Sequence, residues 1–209
     1  MSIFNKIHTE AGVLGIWKLS ESVSELISNF QFSENEKLEF DKIKVERRKK
    51  EYIATRLLLK GLLGEKPEIS YLKSGKPVLK NSHKNISISH SSEFVVALVS
   101  ENNIGIDVEN IQRNIKKIAN RFLCDNELKH INKKGDSQTA TVLYWSAKEA
   151  IFKCTNDDGI LFDKQIIIQP FNIKKEGIFA GSLNKKIDYK LWYFFIENNV
   201  VVYCVEIID

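Results

Sequence analysis

The chain has 209 residues, a formal charge of +4, 43% apolar and 28% charged residues, a profile that excludes a disordered chain and leaves room for one large or two small cores. The charge excess suits an acidic partner but is too small to argue for nucleic acid by itself. No basic segment followed by an apolar run opens the N-terminus and no apolar stretch approaches the roughly 20 residues of a membrane span, so a soluble, cytoplasmic protein is expected.

Val13 to Leu19 reads as a strand, and Ser20 opens a short amphipathic helix to about Phe30. Ser33 with Glu36 forms a capping-box pattern. The helical segment behind it carries Lys42, Lys44, Arg47, Arg48, Lys49, Lys50 and Arg56 before an apolar end at Leu57–Leu59, Leu62 and Leu63, with Gly64 as its stop. Such a basic stretch is ordinarily a solvated face running into the core. Short strands with turns follow: Ile69 to Leu72, a Ser74-Gly75-Lys76-Pro77 turn, Ile86 to His90 and Phe94 to Ser100. Pro77 fixes its own φ and pushes Lys76 toward extended backbone, so this turn is expected to be rigid. Ser89-His90-Ser91 invites a nucleophile reading with Asp107, but consecutive strand residues point to opposite faces, which keeps either serine from the imidazole. His90 continues the face of Ile86 and Ile88, as a core histidine would.

Ile104-Gly105-Ile106-Asp107-Val108-Glu109 alternates with period two, as a strand buried on one side does. Asp107 and Glu109 then sit side by side on one face, and neighbouring anions either take up a proton or hold a cation. A surface strand with an acidic solvent face is the plain alternative. From Ile111 to Leu123 the apolar residues form a helical stripe with Arg113, Lys116, Lys117 and Arg121 outside it, and Asp125 is placed to cap a short helix containing Glu127. Trp145-Ser146-Ala147-Lys148-Glu149-Ala150-Ile151-Phe152-Lys153 reads as helix, with Trp145, Glu149 and Lys153 sharing a face and Lys148 and Phe152 beside them. Alone, Glu149 and Lys153 are an ordinary i,i+4 pair worth roughly 0.3–0.5 kcal/mol. Beside Asp107 and Glu109, a third carboxylate with lysines around it is what an oxygen shell for Mg²⁺ and a bound phosphate would need. Asn156-Asp157-Asp158-Gly159 stops that helix, and strands are expected near Ile160–Phe162, Ile166–Gln169, Gly177–Ser182, Tyr189–Phe195 and Val200–Ile207, the last two joined at Asn198-Asn199. Cys124, Cys154 and Cys204, odd in number and without C-x-x-C spacing, support neither a disulfide framework nor zinc and read as buried thiols.

Gly75-Lys76-Pro77, Ile88-Ser89-His90-Ser91, Gly105-Ile106-Asp107-Val108-Glu109, Phe122 followed by Glu127, and Trp145-Ser146-Ala147-Lys148-Glu149-Ala150 with Lys153 occur in an order and spacing that resembles the 4′-phosphopantetheinyl transferase superfamily, in its single-chain Sfp type. The resemblance implies an α+β fold, a pseudo-dimer of two similar halves with the active site between them, here 1–100 on the side of the coenzyme A adenine and 3′-phosphate and 101–209 with the metal and catalytic residues. A monomer follows. It implies transfer of the phosphopantetheine arm of coenzyme A to a serine of an acyl or peptidyl carrier protein, without nucleic acid or membrane as partner. Asp107, Glu109 and Glu149 would hold Mg²⁺, with Mn²⁺ as the alternative. Glu149 is the expected base, with Glu109 as rival, and Lys153 and Lys148 add positive charge. Coenzyme A contacts fall on Arg47 or Arg48, Arg56, Gly75, Lys76, Pro77, Ser89, His90, Lys148 and Lys153, and His90 becomes a phosphate ligand. Arg113, Lys116, Lys117 and Arg121 would face the acidic carrier. A metal-dependent nuclease and a non-catalytic binding module are the rival readings; the first predicts cleavage of nucleic acid, the second no product.

Overall fold

The computed structural model describes residues 4–80, 82–132, 137–155, 157 and 159–208. A hairpin of β1 (Phe4–Thr9) and β2 (Gly12–Lys18) opens the fold, followed by helices α1 (Val23–Ser28), α2 (Glu34–Lys42) and α3 (Glu46–Leu63). A small hairpin, β3 (Ile69–Tyr71) with β4 (Pro77–Leu79), leads to β5 (Asn85–His90), β6 (Phe94–Ser100) and β7 (Ile104–Asn110). After a 3₁₀ turn (Lys116–Arg121) come α4 (Asp125–Asn132), α5 (Ser137–Cys154), α6 (Phe162–Gln165), and strands β8 (Ile166–Ile168), β9 (Glu176–Leu183), β10 (Ile187–Ile196) and β11 (Asn199–Glu206). The fold is α+β.

Two antiparallel sheets, β1-β2-β6-β5 and β7-β11-β10-β9-β8, form its frame. The strand β6, Phe-Val-Val-Ala-Leu-Val-Ser, is buried along its whole length because both of its faces are apolar. Val95, Ala97 and Val99 pack on Ala54, Leu58 and Leu59 of α3. Phe94, Val96 and Leu98 point the other way, into a core shared with Ile104, Ile106, Val108, Trp192, Val201 and Tyr203 of the second sheet. The outer face of that second sheet is covered by α5 through Leu143, Ala147, Ala150 and Ile151.

Local signals explain most boundaries. Ser33 and Glu36 close a complete capping box on α2, and Gly64 ends α3 in the left-handed conformation at φ 82°. Helix α1 is capped by Ser22, two residues later than Ser20. The basic segment is two helices rather than one: Ile43 and Val45 are extended, and the chain breaks between α2 and α3. Nor is Ile111–Leu123 a regular helix. Its apolar residues Ile115, Ala119, Phe122 and Leu123 are buried from a 3₁₀ turn and its flanks. The strand expected at Ile160–Phe162 is absent; α6 begins at Phe162. Asn156 and Asp158 lie outside the described residues, and α5 ends at Cys154. Asp125 is the first residue of α4, whose start is closed by Glu127 accepting from the Cys124 N–H at 2.9 Å. Cys154 and Cys204 are buried free thiols with sulfurs 3.3 Å apart, and Cys124 is half-buried. Among the described residues no helix is long and apolar enough to cross a membrane.

Candidate active site

The strand β7 is the edge of its sheet, paired only with β11. An open edge leaves backbone donors unpaired. Here serine hydroxyls from β5 close it: Ser87 Oγ accepts from the Ile106 N–H at 3.0 Å, and Ser89 Oγ accepts from the Val108 N–H at 3.3 Å. Ser89 then donates its own proton to Asp107 Oδ1 at 2.8 Å. The hydroxyls that seal the strand therefore also set the first carboxylate.

The acidic face of β7 is not a solvent face. At Gly105 an added Cβ would lie 1.8 Å from the Ala150 carbonyl oxygen, so α5 is seated directly on the strand. This close approach leaves Asp107 only 4% exposed, enclosed by Ser89, by Ser146 donating to Oδ2 at 2.7 Å and by Lys153 donating to Oδ1 at 2.8 Å. Lys153 also donates to the Ile106 carbonyl at 3.1 Å. Glu109, one pleat further on, accepts from the Trp145 indole at 3.0 Å and from Arg113. Glu149 makes no hydrogen bond among the described residues. Burial, then Asp107 and Glu109, push its carboxyl up to about 7, against the opposing pull of Lys153 and Arg113. Burial and then Asp107 raise Glu109 as well.

This donor set suits a hard divalent cation: three carboxylates from β7 and α5, two of them with proton affinities raised by burial and then by neighbouring like charge. The expected convergence on one point is not present as the chain stands. Among the described residues no three His, Cys, Asp or Glu side chains are close enough together to share a metal ion, and Lys153 and Arg113 occupy Asp107 and Glu109 instead.

Beside this cluster runs a cleft. Its narrow part, about 170 Å³, lies between the Gly75-Lys76-Pro77 turn, Ile86 to Ile88 of β5, and Phe152 and Lys153 of α5. Its wider part, about 600 Å³, is lined by Lys44, Arg48, Glu51, Arg56, Tyr71 and His90, with Gly75 and Pro77 on the wall common to both. Two backbone hydrogen bonds close the turn: Gly75 has φ 83°, its N–H reaches the Leu72 carbonyl at 2.9 Å, and Leu72 returns an N–H to the Lys76 carbonyl at 2.9 Å. Lys76 points into α5, donating to the Cys154 carbonyl at 2.8 Å, where an ammonium suits the negative end of a helix. Burial holds its pKa below the usual lysine value.

Several residues stand elsewhere than the sequence suggested. Lys148 does not join the carboxylates. It is fully buried, bonded to Glu127 at 2.8 Å and to the carbonyls of Phe162 and Ile166, because its position on α5 turns inward, while Glu149 is only partly buried, in a hollow with Arg121, Phe122 and Trp145. A coenzyme A contact through Lys148 is thereby corrected. Ser89 is likewise buried on Asp107 rather than open to a ligand. His90 bonds Arg48 at 3.1 Å and approaches Glu51 at 3.6 Å, on the α3 side of the cleft. Arg48 lines the cleft, whereas Arg47 does not. Arg56 is buried, ion-paired to Glu36 and Glu39 and stacked 3.4 Å from the Tyr52 ring. Arg113 is tied to Glu109 and lies over Trp145 rather than facing outward free, and Lys116 donates to Ser137 at 2.8 Å. Lys117 and Arg121 are exposed. Ser146, Ser87 and Glu51 received no role from the sequence; Ser146 stands in the motif helix, but only the fold shows that its hydroxyl meets Asp107.

Fold and site together define an α+β protein in which a buried carboxylate cluster adjoins a cationic cleft. Residues 103–204 match the family model described as 4′-phosphopantetheinyl transferase superfamily. The chain is similar to a 4′-phosphopantetheinyl transferase of Bacillus subtilis, 35% identical over 79 residues, which is 37% of this chain and 34% of the relative. It is also similar to the 4′-phosphopantetheinyl transferases gsp of Aneurinibacillus migulanus, 33% identical over 81 residues (38% and 34%), and psf-1 of Bacillus pumilus, 34% over 85 residues (39% and 36%). The chain thus matches about a third of the length of each relative.

Proposed function

We propose that this protein is a 4′-phosphopantetheinyl transferase, which moves the phosphopantetheine arm of coenzyme A to a serine of an acyl or peptidyl carrier protein and releases adenosine 3′,5′-bisphosphate. The observation that carries the reading is the single wall shared by the two parts of the site: Lys153 bonds Asp107 on one side and lines the cleft behind the Gly75-Lys76-Pro77 turn on the other. A diphosphate reaching along that cleft ends beside the carboxylates. The nucleotide lies against the turn and the basic wall of Lys44, Arg48 and His90.

Asp107, Glu109 and Glu149 are the residues that would hold Mg²⁺ or Mn²⁺. A bound divalent ion supplies positive charge to the diphosphate and its leaving phosphate. The chain's own groups do the rest. Lys153 adds charge where the P–O bond of the diphosphate breaks. Ser89 and Ser146 hold Asp107 in one orientation, and Trp145 does the same for Glu109. Glu149 accepts the proton of the attacking serine. The exposed Lys117 and Arg121, with Lys116 beside them, meet the acidic helix of the carrier. The halves 1–100 and 101–209 form a pseudo-dimer within a monomer working in the cytoplasm.

The test is incubation of the purified protein with coenzyme A, Mg²⁺ and a panel of apo carrier proteins, read by intact mass. The expected result is a gain of one phosphopantetheine on one serine, abolished by Asp107→Ala or Glu149→Ala. A carrier panel left unmodified by the folded protein, or an Asp107→Ala variant turning over normally, refutes the reading.

A further inference from the structure

The wider part of the cleft contains an acid where an anion site would be expected to have none. Glu51, on α3, is 3% exposed. Its Oε1 accepts from Arg47 Nε at 2.8 Å and its Oε2 from Arg48 Nη1 at 2.7 Å, while His90 Nε2 lies 3.6 Å from the same Oε2 and 3.1 Å from Arg48 Nη1. Both arginine side chains are more than half exposed. An exposed arginine is ordinarily free to sample many rotamers. These two are moored from beneath.

Each arginine gives Glu51 one edge and keeps N–H groups for something else. Arg47 bonds through Nε, which leaves both terminal amino groups, and Arg48 bonds through one terminal amino group, which leaves the other and Nε. Two guanidiniums around one carboxylate retain a net positive charge, so an anion above them is still attracted. Arg56 does not contribute in the same way, since its charge is already met by Glu36 and Glu39. The local arrangement is a buried acid holding Arg48 and, through it, the His90 imidazole at the wall of the cleft, with Arg47 held beside them outside the lining.

We infer that Glu51 is a positioning residue: by fixing Arg48, and through it His90, at the cleft wall, with Arg47 moored just outside it, Glu51 makes the cleft select a nucleotide carrying a terminal phosphomonoester over the same nucleotide without one. The inference rests on the coenzyme A reading, in which that group is the 3′-phosphate. A phosphomonoester rewards donors that are already aimed, because ordering two loose arginines on binding takes back part of the gain. The opposite sign is also physically defined: a carboxylate that merely repelled the phosphate would weaken binding, and its removal would tighten it.

The experiment measures the dissociation constants of coenzyme A and 3′-dephospho-coenzyme A by calorimetry for the wild type, Glu51→Gln and Glu51→Asp. Glutamine removes the charge at nearly constant shape; aspartate keeps the charge but is too short to span both arginines. In both variants coenzyme A is expected to weaken about ten-fold, with 3′-dephospho-coenzyme A changed about two-fold or less. Retained binding of the dephospho ligand also shows that the variant is folded. Equal weakening of both ligands would mean a purely structural role, and unchanged or tighter coenzyme A binding in either variant would mean that Glu51 does not aim the arginines; each overturns the inference alone. A wild type that binds neither ligand overturns the coenzyme A reading along with it.

Discussion

Replacement of Lys148 by methionine should cost stability rather than ligand affinity. The ammonium is fully buried, 2.8 Å from Glu127 Oε2, and also donates to the carbonyls of Phe162 and Ile166 at 2.9 and 2.6 Å. Glu127, 2% exposed, accepts in addition from the N–H groups of Cys124 and Ile168, so the pair joins α4, α5 and the α6–β8 segment at one point. Burial lowers the Lys148 pKa, and Glu127 opposes that shift. Methionine fills the space of the lysine stem but strands the carboxylate and two carbonyls. Breaking a buried pair in this way costs about 3–5 kcal/mol. At roughly 2–4 °C per kcal/mol for a chain of this size, Tm should fall by about 6–20 °C. Adding Glu127→Gln removes the stranded charge while keeping an acceptor for the backbone, and should recover at least half of the loss. Thermal unfolding of wild type, single and double variants decides the point, with the KM for coenzyme A taken alongside. A Lys148→Met protein that melts like the wild type but shows a raised coenzyme A KM would refute this account and return Lys148 to the ligand.

Gly105→Ala should separate α5 from β7, because its Cβ would stand 1.8 Å from backbone oxygen of Ala150 and 3.2 Å from Cys154 Sγ. A loss of about 1–3 kcal/mol or more in urea unfolding is expected, together with loss of carrier modification. Ser146→Ala and Ser89→Ala each remove one hydrogen bond to the Asp107 carboxylate. Each should destabilise by about 1.5–3 kcal/mol in the same assay. His90 is held below its usual pKa of 6.5 chiefly by burial, with Arg48 acting in the same sense and Glu51 against it. The folded form therefore releases the proton more readily than the unfolded one, and the contribution of His90 to stability is complete above pH 6.5 and declines as pH falls through the window between the unfolded and folded values. NMR titration of the imidazole should give a midpoint below 6.5, moved lower still by Glu51→Gln; a midpoint at or above 6.5 contradicts the burial account.

The sequence made the long alternating or apolar strands legible, because their side-chain pattern is imposed by burial. It missed β1, Phe-Asn-Lys-Ile-His-Thr, where polar residues interrupt the pattern and Ile7 is 40% exposed on an edge strand. Period-two spacing put Asp107 and Glu109 together, and i,i+4 spacing added Glu149 and Lys153. Neither spacing says which flank of a helix faces inward, so the coenzyme A contact that the resemblance implies for Lys148, one residue from Glu149, falls on a side chain that lies in the core. Nor does spacing show what covers a strand: β7 reads as one-sided, yet Gly105 admits α5 against its second face. The contacts of Ser87, Ser89 and Ser146 join residues about 20 to 40 positions apart in sequence, and only a folded chain brings such partners within reach.

The serine stitching between β5 and β7 gives the two sheets a joint with little tolerance. A backbone ladder would hold through any side-chain change, but here the fastening at Val108 is a single hydroxyl that also grips Asp107. Drift at that joint is transmitted at once to a carboxylate proposed to act in the reaction. Mutational wear along β5 should thus register as lost turnover before it registers as lost architecture.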